Sequence, residues 1–437
     1  MEHRRDKGGR DTVRLMIVGG GGGQLHAIRQ ARSLGIEVIV SDRDPAAPGM
    51  QVADYPVEAD TFDVEATVQA ARRYGADGIM TLGTDQPVLT VTTAAGRLGL
   101  PRALTPEQAR AATNKRWMKP MLERCGVPHS PYRVVDRGFR TEDLRGLKGP
   151  YVLKPVDSQG QRGVVRLDTP EEVADYLPGT LQYSRDGYAL VEEFYPGEEI
   201  TFSGWVRDGE VYPLTVTDRR TMPFYPHIGV CIAHTYPSRF SGEWGDEIID
   251  ISRRIVRGMD IRRGPLYFQM LIGPEGVRIN EIACRIGGAY EDEFIPLLTG
   301  VDIDALQFYE ALGEKSGPVL REGFERDCFG LESYRYPARD SMAVLLFFTR
   351  PMKVAGSGPV EDVLAVPGVH RAAYLLPPGR EVGPMRNSTG RAGYIIIKGS
   401  TKDSVNRSIM EAYARLEVLD PSGCNGVIDY SAESMLE

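Results

Sequence analysis

The sequence is poor in the residues that announce metal, redox or membrane chemistry. Its five cysteines (Cys125, Cys231, Cys284, Cys328 and Cys424) are scattered among 437 residues, with no CxxC pair and no histidine-rich spacing beside them. That spacing argues against a zinc site or a disulfide framework and fits a reducing, cytoplasmic setting. No apolar run approaches the roughly 20 residues needed to span a bilayer, so no membrane role is expected. Basic residues do not predominate. The net charge is −8, which disfavours nucleic acid or an anionic membrane surface as a partner and still allows a local basic pocket. Internal repeats and low-complexity linkers are absent from the pattern. Residues 1–13 are polar, with no apolar stretch behind them, and read as a disordered tail and not as a signal peptide.

What is present is ordinary for a globular chain, with 42% hydrophobic and 26% charged residues. The length suggests about three domains at roughly 150 residues each. From residue 14 strand and helix patterns alternate. "RLMIVGG" is a strand, "QLHAIRQARSLG" a helix, "IEVIVSD" a strand, "FDVEATVQAARRYG" a helix and "ADGIMTL" a strand. That order implies a right-handed, parallel, Rossmann-like sheet over residues 14–104. The five glycines at 19–23 followed by Asp42 match a dinucleotide fingerprint only loosely. Such a run fits many patterns, and a structural or substrate-contacting turn is the better reading.

A helix over "TPEQARAATNKRWMKPMLERCGVP" opens the next segment, 105–325. After about residue 325 the chain turns to short strands ("SMAVLLFF", "VHRAAYLL", "AGYIIIKG") and a helix that Ser400 or Thr401 can cap, with Val405, Ile409 and Leu416 at helical spacing. Residues 326–437 thus read as a small α+β domain. The expected fold is α/β and α+β, multidomain.

Four features occur in a fixed order. Lys115 lies in the helix "TNKRWMKP". Lys154 follows on an apolar strand, ahead of a loop with Ser158, Gly160 and Gly163. A lysine among apolar strand residues needs an anionic partner, and a glycine-bearing loop lets backbone N–H groups close over phosphates. "VEEFYPGEEITF" then sets carboxylates around a strand break, where ribose hydroxyls and an adenine edge could be met. Last comes "LYFQMLIGPEGVRINEIACRIGG", residues 266–288, a β-hairpin. A three-residue loop, Pro274-Glu275-Gly276, would set Gly273 opposite Val277 and Gln269 opposite Glu281, with Ala283 and Arg285 on the face of Glu281. A four-residue turn would pair Gln269 with Asn280 instead.

This series resembles the ATP-grasp superfamily along nearly the whole chain, with residues 105–325 as the clamp that holds ATP. The stretch "NSTGRAGYIIIKGSTKDSVNRSIMEA" is similar to the closing domain of the carboxylate–amine ligases, of the L-amino-acid ligase and carnosine-synthase type. The resemblance implies that Lys115 and Lys154 bind the α/β-phosphates and that the loop from Ser158 to Gly163 closes over them. It implies that Glu192 takes the adenine amine beside the Glu193, Phe194 and Tyr195 hinge, and that Glu199 takes the ribose hydroxyls. Glu281, with Gln269, would hold Mg²⁺ or Mn²⁺, and Arg285 the substrate carboxylate and the transferring phosphoryl group. His227 and His234 are candidates for contacting the substrates, His234 also for deprotonating the amine. Two positions depart from the pattern: Gln269 stands where an acid is usual, and Ala283 where an asparagine is. The implied reaction joins a small carboxylate to a small amine through an acyl phosphate, releasing ADP and phosphate, in an enzyme expected to be a homodimer. The alternatives are a biotin-carboxylase-like enzyme, against which stands the lack of a recognisable biotinyl segment, and a degenerate ATP-binding sensor.

Overall fold

The structure, a computed structural model, describes residues 12–431. Most of the tail expected over residues 1–13 therefore lies outside the described residues. The chain divides into two compact units, one formed by residues up to 106 with 301–333, the other by 107–300 with the chain from 334. No helix among the described residues is long and apolar enough to cross a membrane.

In the first unit, β1 (Arg14–Val18), β2 (Glu37–Asp42), β3 (Tyr55–Glu58) and β4 (Gly78–Met80) form a parallel sheet in the order β3-β2-β1-β4. Strands β1, β2 and β4 are those read from the alternating pattern. The edge strand β3 was not anticipated: at four residues, with Pro56 inside it, it offers little periodicity to read. Helix Val64–Tyr74 starts where the Asp63 side chain accepts from Ala66 N–H and ends on Gly75 in the left-handed region (φ 63°). The glycine turn after β1 is tied to the protein itself. Asp42 Oδ2 accepts from Gly20 N–H at 2.8 Å and Asp42 Oδ1 from Asp44 N–H at 2.9 Å, so the acid that a dinucleotide would need is already engaged.

The second unit holds one sheet of twelve strands. Its main path joins β5 (Tyr132–Val135), β6 (Tyr151–Pro155), β7 (Val165–Leu167), β8 (Ala189–Glu193), β9 (Glu198–Arg207), β10 (Glu210–Phe224), β11 (His227–Tyr236), β12 (Arg263–Gly273) and β13 (Gly276–Ala283) in the order β13-β12-β9-β10-β11-β7-β6-β8-β5. β11 is the junction. His227 at one end pairs with Val165, while Ala233–Tyr236 at the other pair with β14 (Ser341–Phe347). Strands Gly393–Gly399 and Val369–Tyr374 follow β14 in turn, so the C-terminal strands continue this sheet. Val230, Ile232, Leu345, Ile395 and Ile397 share one buried core with Val405 and Ile409 of helix Lys402–Arg415, which Thr401 caps. A second core lies where helix Pro170–Leu181 covers the β6 and β8 region, with Leu153, Val165, Val173, Leu177 and Val191.

Two local readings need correction. The helix expected over residues 105–128 is two helices, Pro106–Thr113 and Lys115–Arg124, broken at Asn114. Asn114 adopts extended backbone (φ −135°, ψ 117°), and its side chain accepts from Arg116 N–H, capping the second helix. The hairpin turn is also one residue shorter than expected, with Gly273 opposite Gly276 and only Pro274-Glu275 between them. That register carries Met270 opposite Ile279 and would bring Gln269 opposite Asn280. A bulge at Asn280 then adds one residue to β13, so Gln269 pairs with Glu281 after all.

The hairpin is fixed to the chain after β8. Tyr195 Oη donates to Gly276 O and accepts from Glu275 N–H, each at 2.9 Å. A Cβ on Gly273 would lie 2.3 Å from Pro196 O and 2.7 Å from the Tyr195 ring. Gly273→Ala is therefore expected to destabilise the fold by about 1–3 kcal/mol, read as a lower urea midpoint at unchanged slope.

Candidate active site

Helix Lys115–Arg124 begins against the end of β6, where Lys115 N–H donates to Val156 O at 2.8 Å. One turn separates Lys115 from Lys119, so both side chains leave the same face. Lys115 Nζ lies 2.8 Å from Glu281 Oε1 and 3.3 Å from Ser158 O. Lys119 Nζ meets Glu192 Oε1, and Lys154 Nζ meets Glu192 Oε2. Lys154 also donates to Asn280 Oδ1 at 3.0 Å. Three lysines from a helix and β6 thus close on Glu192 of β8 and on Glu281 and Asn280 of β13. Lys115, Lys119, Lys154 and Glu192 are all buried.

The electrostatics follow from this packing. Burial alone would raise the Glu192 carboxyl, but Lys119 and Lys154 overcome it and hold the group at about 2. Burial likewise opposes ionisation of Glu281, and Lys115, Lys154 and Arg285 together bring it below the usual carboxylate range. Lys119 is lowered, chiefly by its complete burial. Three ammonium groups face only two carboxylates, so the cluster favours one more anion at its open side.

On the wall opposite Glu281, Gln269 Oε1 is buried without a hydrogen-bond partner among the described residues. An unpaired neutral oxygen facing a carboxylate is a donor set that suits a hard divalent cation. Ala283 contributes no ligand atom. Arg285 is buried, donates to Ile286 O at 3.1 Å and lies over the Tyr267 ring, 4.7 Å from its centroid.

The loop from Ser158 to Gly163 contains three residues in the left-handed region, Gly160, Gln161 and Gly163. A Cβ on Gly163 would fall 2.7 Å from the Tyr183 ring. Ser388 N–H donates to Gly160 O at 3.0 Å, joining the loop to the C-terminal segment. At the hinge, the N–H groups of Glu193 and Phe194 donate to Pro131 O and Pro150 O. Glu192 does not offer a free oxygen to an adenine amine here, since both its oxygens are on lysines. Its geometry is that of a counter-charge that positions Lys119 and Lys154.

The remaining predicted residues form a second group. Glu199 pairs with the buried Arg219, whose other nitrogen donates to Gly229 O at 3.1 Å. His234 lies opposite Arg219 in the β10–β11 ladder, with its Nδ1 3.1 Å from Thr217 Oγ1. Complete burial, with Arg219 and Arg391 nearby, pushes His234 down to about 3. It is a neutral ring at any working pH and a poor proton acceptor, which corrects its expected role as a base. His227 is half-buried and also lowered, by burial and then by Arg386. Seven residues of strand, at about 3.3 Å each, separate the two histidines, so they do not act on one atom. Lys119, Asn280, Arg219 and Glu291 were missed. Of these only Lys119 carried a sequence signal, its i+4 spacing from Lys115.

Residues 344–419 match the family model described as L-amino acid ligase C-terminal domain 2. The chain is 27% identical over 344 residues to phosphoribosylamine–glycine ligase of Pyrococcus abyssi, covering 71% of this chain and 74% of that one. In fold it is similar to L-amino acid ligase from Bacillus licheniformis, with a TM-score of 0.77, 19% identity and coverage of 94% of this chain and 100% of that one. It is also similar to the biotin carboxylase domain of Hydrogenobacter thermophilus 2-oxoglutarate carboxylase, solved with MgADP and bicarbonate, at a TM-score of 0.72, 17% identity and coverage of 96% and 92%. In sequence and in fold the chain is thus similar to ATP-grasp ligases of the carboxylate–amine type.

Glu192→Gln leaves Lys119 buried against a neutral amide and is expected to cost about 3–5 kcal/mol in chemical denaturation. The wild-type carboxyl is held at about 2 against an ordinary 4.5. Its contribution is therefore complete above pH 4.5 and lost as pH falls through about 2, and the acid limb of stability should be shallower in the variant.

Proposed function

We propose that the enzyme joins a small carboxylate, an amino acid, to a small amine, forming an amide through an acyl phosphate and releasing ADP and phosphate. The observation that carries this reading is the buried excess of lysine over glutamate around Glu192 and Glu281, beside the unpaired Gln269 oxygen. Lys115 and Lys154 bind the ATP phosphates, and the Ser158–Gly163 loop covers them. Adenine lies along the backbone of Glu193–Tyr195, with Glu199 toward the ribose. Glu281 and Gln269 would hold Mg²⁺, which neutralises charge on the β- and γ-phosphates when bound.

The substrate carboxylate attacks the γ-phosphorus and ADP leaves. Arg285 holds that carboxylate and neutralises the phosphoryl oxygens as their charge shifts. The closed loop excludes water, which would otherwise hydrolyse the acyl phosphate before an amine arrives. The amine then attacks the acyl carbon and phosphate departs. We assign residues 14–104 to a Rossmann-like domain, 105–325 to the ATP clamp and 326–437 to the closing domain of a cytoplasmic homodimer.

The test is a screen of amino-acid pairs with MgATP that follows phosphate and product mass. Phosphate release that needs both substrates, with a condensed product, is the expected result. ATP binding without turnover across the panel would favour a nucleotide sensor and overturn the ligase. Glu281→Gln is expected to lower kcat by at least about 100-fold, and intact turnover in that variant would remove the metal role.

A further inference from the structure

Beyond Arg285 the chain folds a second carboxylate back into the protein. Glu291 opens the helix Glu291–Thr299, yet it is only 1% exposed. Two backbone features make this possible. Tyr290 takes the left-handed conformation (φ 66°, ψ 35°), which bulky residues rarely adopt, and stacks on Tyr394 with ring centroids 3.5 Å apart. Gly287 lacks a Cβ, which would fall 2.2–2.5 Å from the Glu291 carboxyl atoms. Glu291 Oε2 accepts from Ala289 N–H at 2.6 Å, while Oε1 is buried with no hydrogen-bond partner among the described residues. A buried oxygen left unpaired at the cost of a strained backbone needs an explanation, and a visiting donor is one.

The titratable groups around it come from several elements. Arg285 after β13 and Asp292 on its own helix act on its charge, while Tyr267 of β12 and Cys231 of β11, both neutral and both touched by the field of Arg219 of β10, feel the charge of Glu291. Burial raises the Glu291 carboxyl to about 7, against the Ala289 N–H and Arg285, which lower it. A group so placed takes and releases a proton near neutrality. Arg285 acts on Glu281 as well, so one guanidinium stands between two carboxylates.

We infer that Glu291 is the proton acceptor for the incoming amine, its unpaired Oε1 taking a proton from a primary ammonium beside the acyl phosphate that Arg285 holds. This rests on the ligase reading above. The ammonium passes one proton to Glu291 and its nitrogen lone pair forms the C–N bond to the acyl carbon. The C–O bond to phosphate breaks, with the electron pair leaving on the phosphate oxygen. The second N–H proton leaves with the phosphate, and Glu291 returns its own proton to solvent.

The experiment compares wild type with Glu291→Gln and Glu291→Asp under MgATP. Each of the twenty common amino acids serves as carboxylate, with either hydroxylamine or a second amino acid as nucleophile. Hydroxylamine is largely unprotonated at neutral pH and needs no base, so hydroxamate yield reports acyl phosphate formation alone. The expected result is near-normal hydroxamate from Glu291→Gln with dipeptide formation lowered by roughly 10²–10⁴-fold. In wild type, kcat/KM for the amine should rise with pH through about 7, and the Gln variant should lack that limb. Dipeptide formation at the wild-type rate and pH profile in Glu291→Gln overturns the inference. So does loss of both products in the Gln and Asp variants alike, which would make the residue structural. Neither product from wild type overturns the ligase reading itself, and this inference with it.

Discussion

Burying Lys119 is the constraint around which the second unit is arranged. An ammonium with no exposed surface is tolerated only with a carboxylate in contact, and Glu192 supplies it. Glu192 in turn is ionised because Lys119 and then Lys154 hold its two oxygens. Lys154 extends the chain of contacts to Asn280, and Lys115 closes it on Glu281. A helix, β6, β8 and β13 are therefore fixed to one another by charges that none of them could bury alone. The set remains one carboxylate short of balance, so its field favours a further anion.

That interlock explains which parts of the sequence were readable. Strand and helix periodicity gave strands β1, β2 and β4 of the parallel sheet and the C-terminal helix, since these follow from residues close in the chain. The pairing of Gln269 with Glu281 was foreseen through a turn that the protein does not use. Gly273 opposes Gly276, and the bulge at Asn280 restores the register. A bulge leaves no periodic trace, so the contact of Asn280 with Lys154 could not be read in advance. The break at Asn114 was readable in principle, because asparagine caps helices well, but it lies within a long run of helix formers.

Charge roles were less legible than positions, because they depend on partners distant in sequence. The family resemblance implies an adenine contact for Glu192, while its two lysine partners lie 73 and 38 positions earlier in the numbering. The resemblance likewise offers His234 as a base. Burial in the sheet, with Arg219 across the ladder and Arg391 just ahead of strand Gly393–Gly399, keeps it a neutral ring. Arg219 also engages Glu199, so one buried guanidinium stands beside two predicted site residues.

The same logic separates the two carboxylates around Arg285. Glu281 meets Lys115 directly and feels Lys154, and three cations outweigh the penalty of burial. Glu291 feels the same arginine but has only the N–H groups of Ala289 and its own residue to add to it, with Asp292 beside it, so burial prevails. One acid is kept charged and suits a cation and phosphates; the other changes state near neutrality and suits a proton. Their difference does not come from residue type, which is identical, or from Arg285, which they share. It comes from the lysine that the Asn114 cap brings to one of them and from the glycine at 287 that lets the other fold out of water.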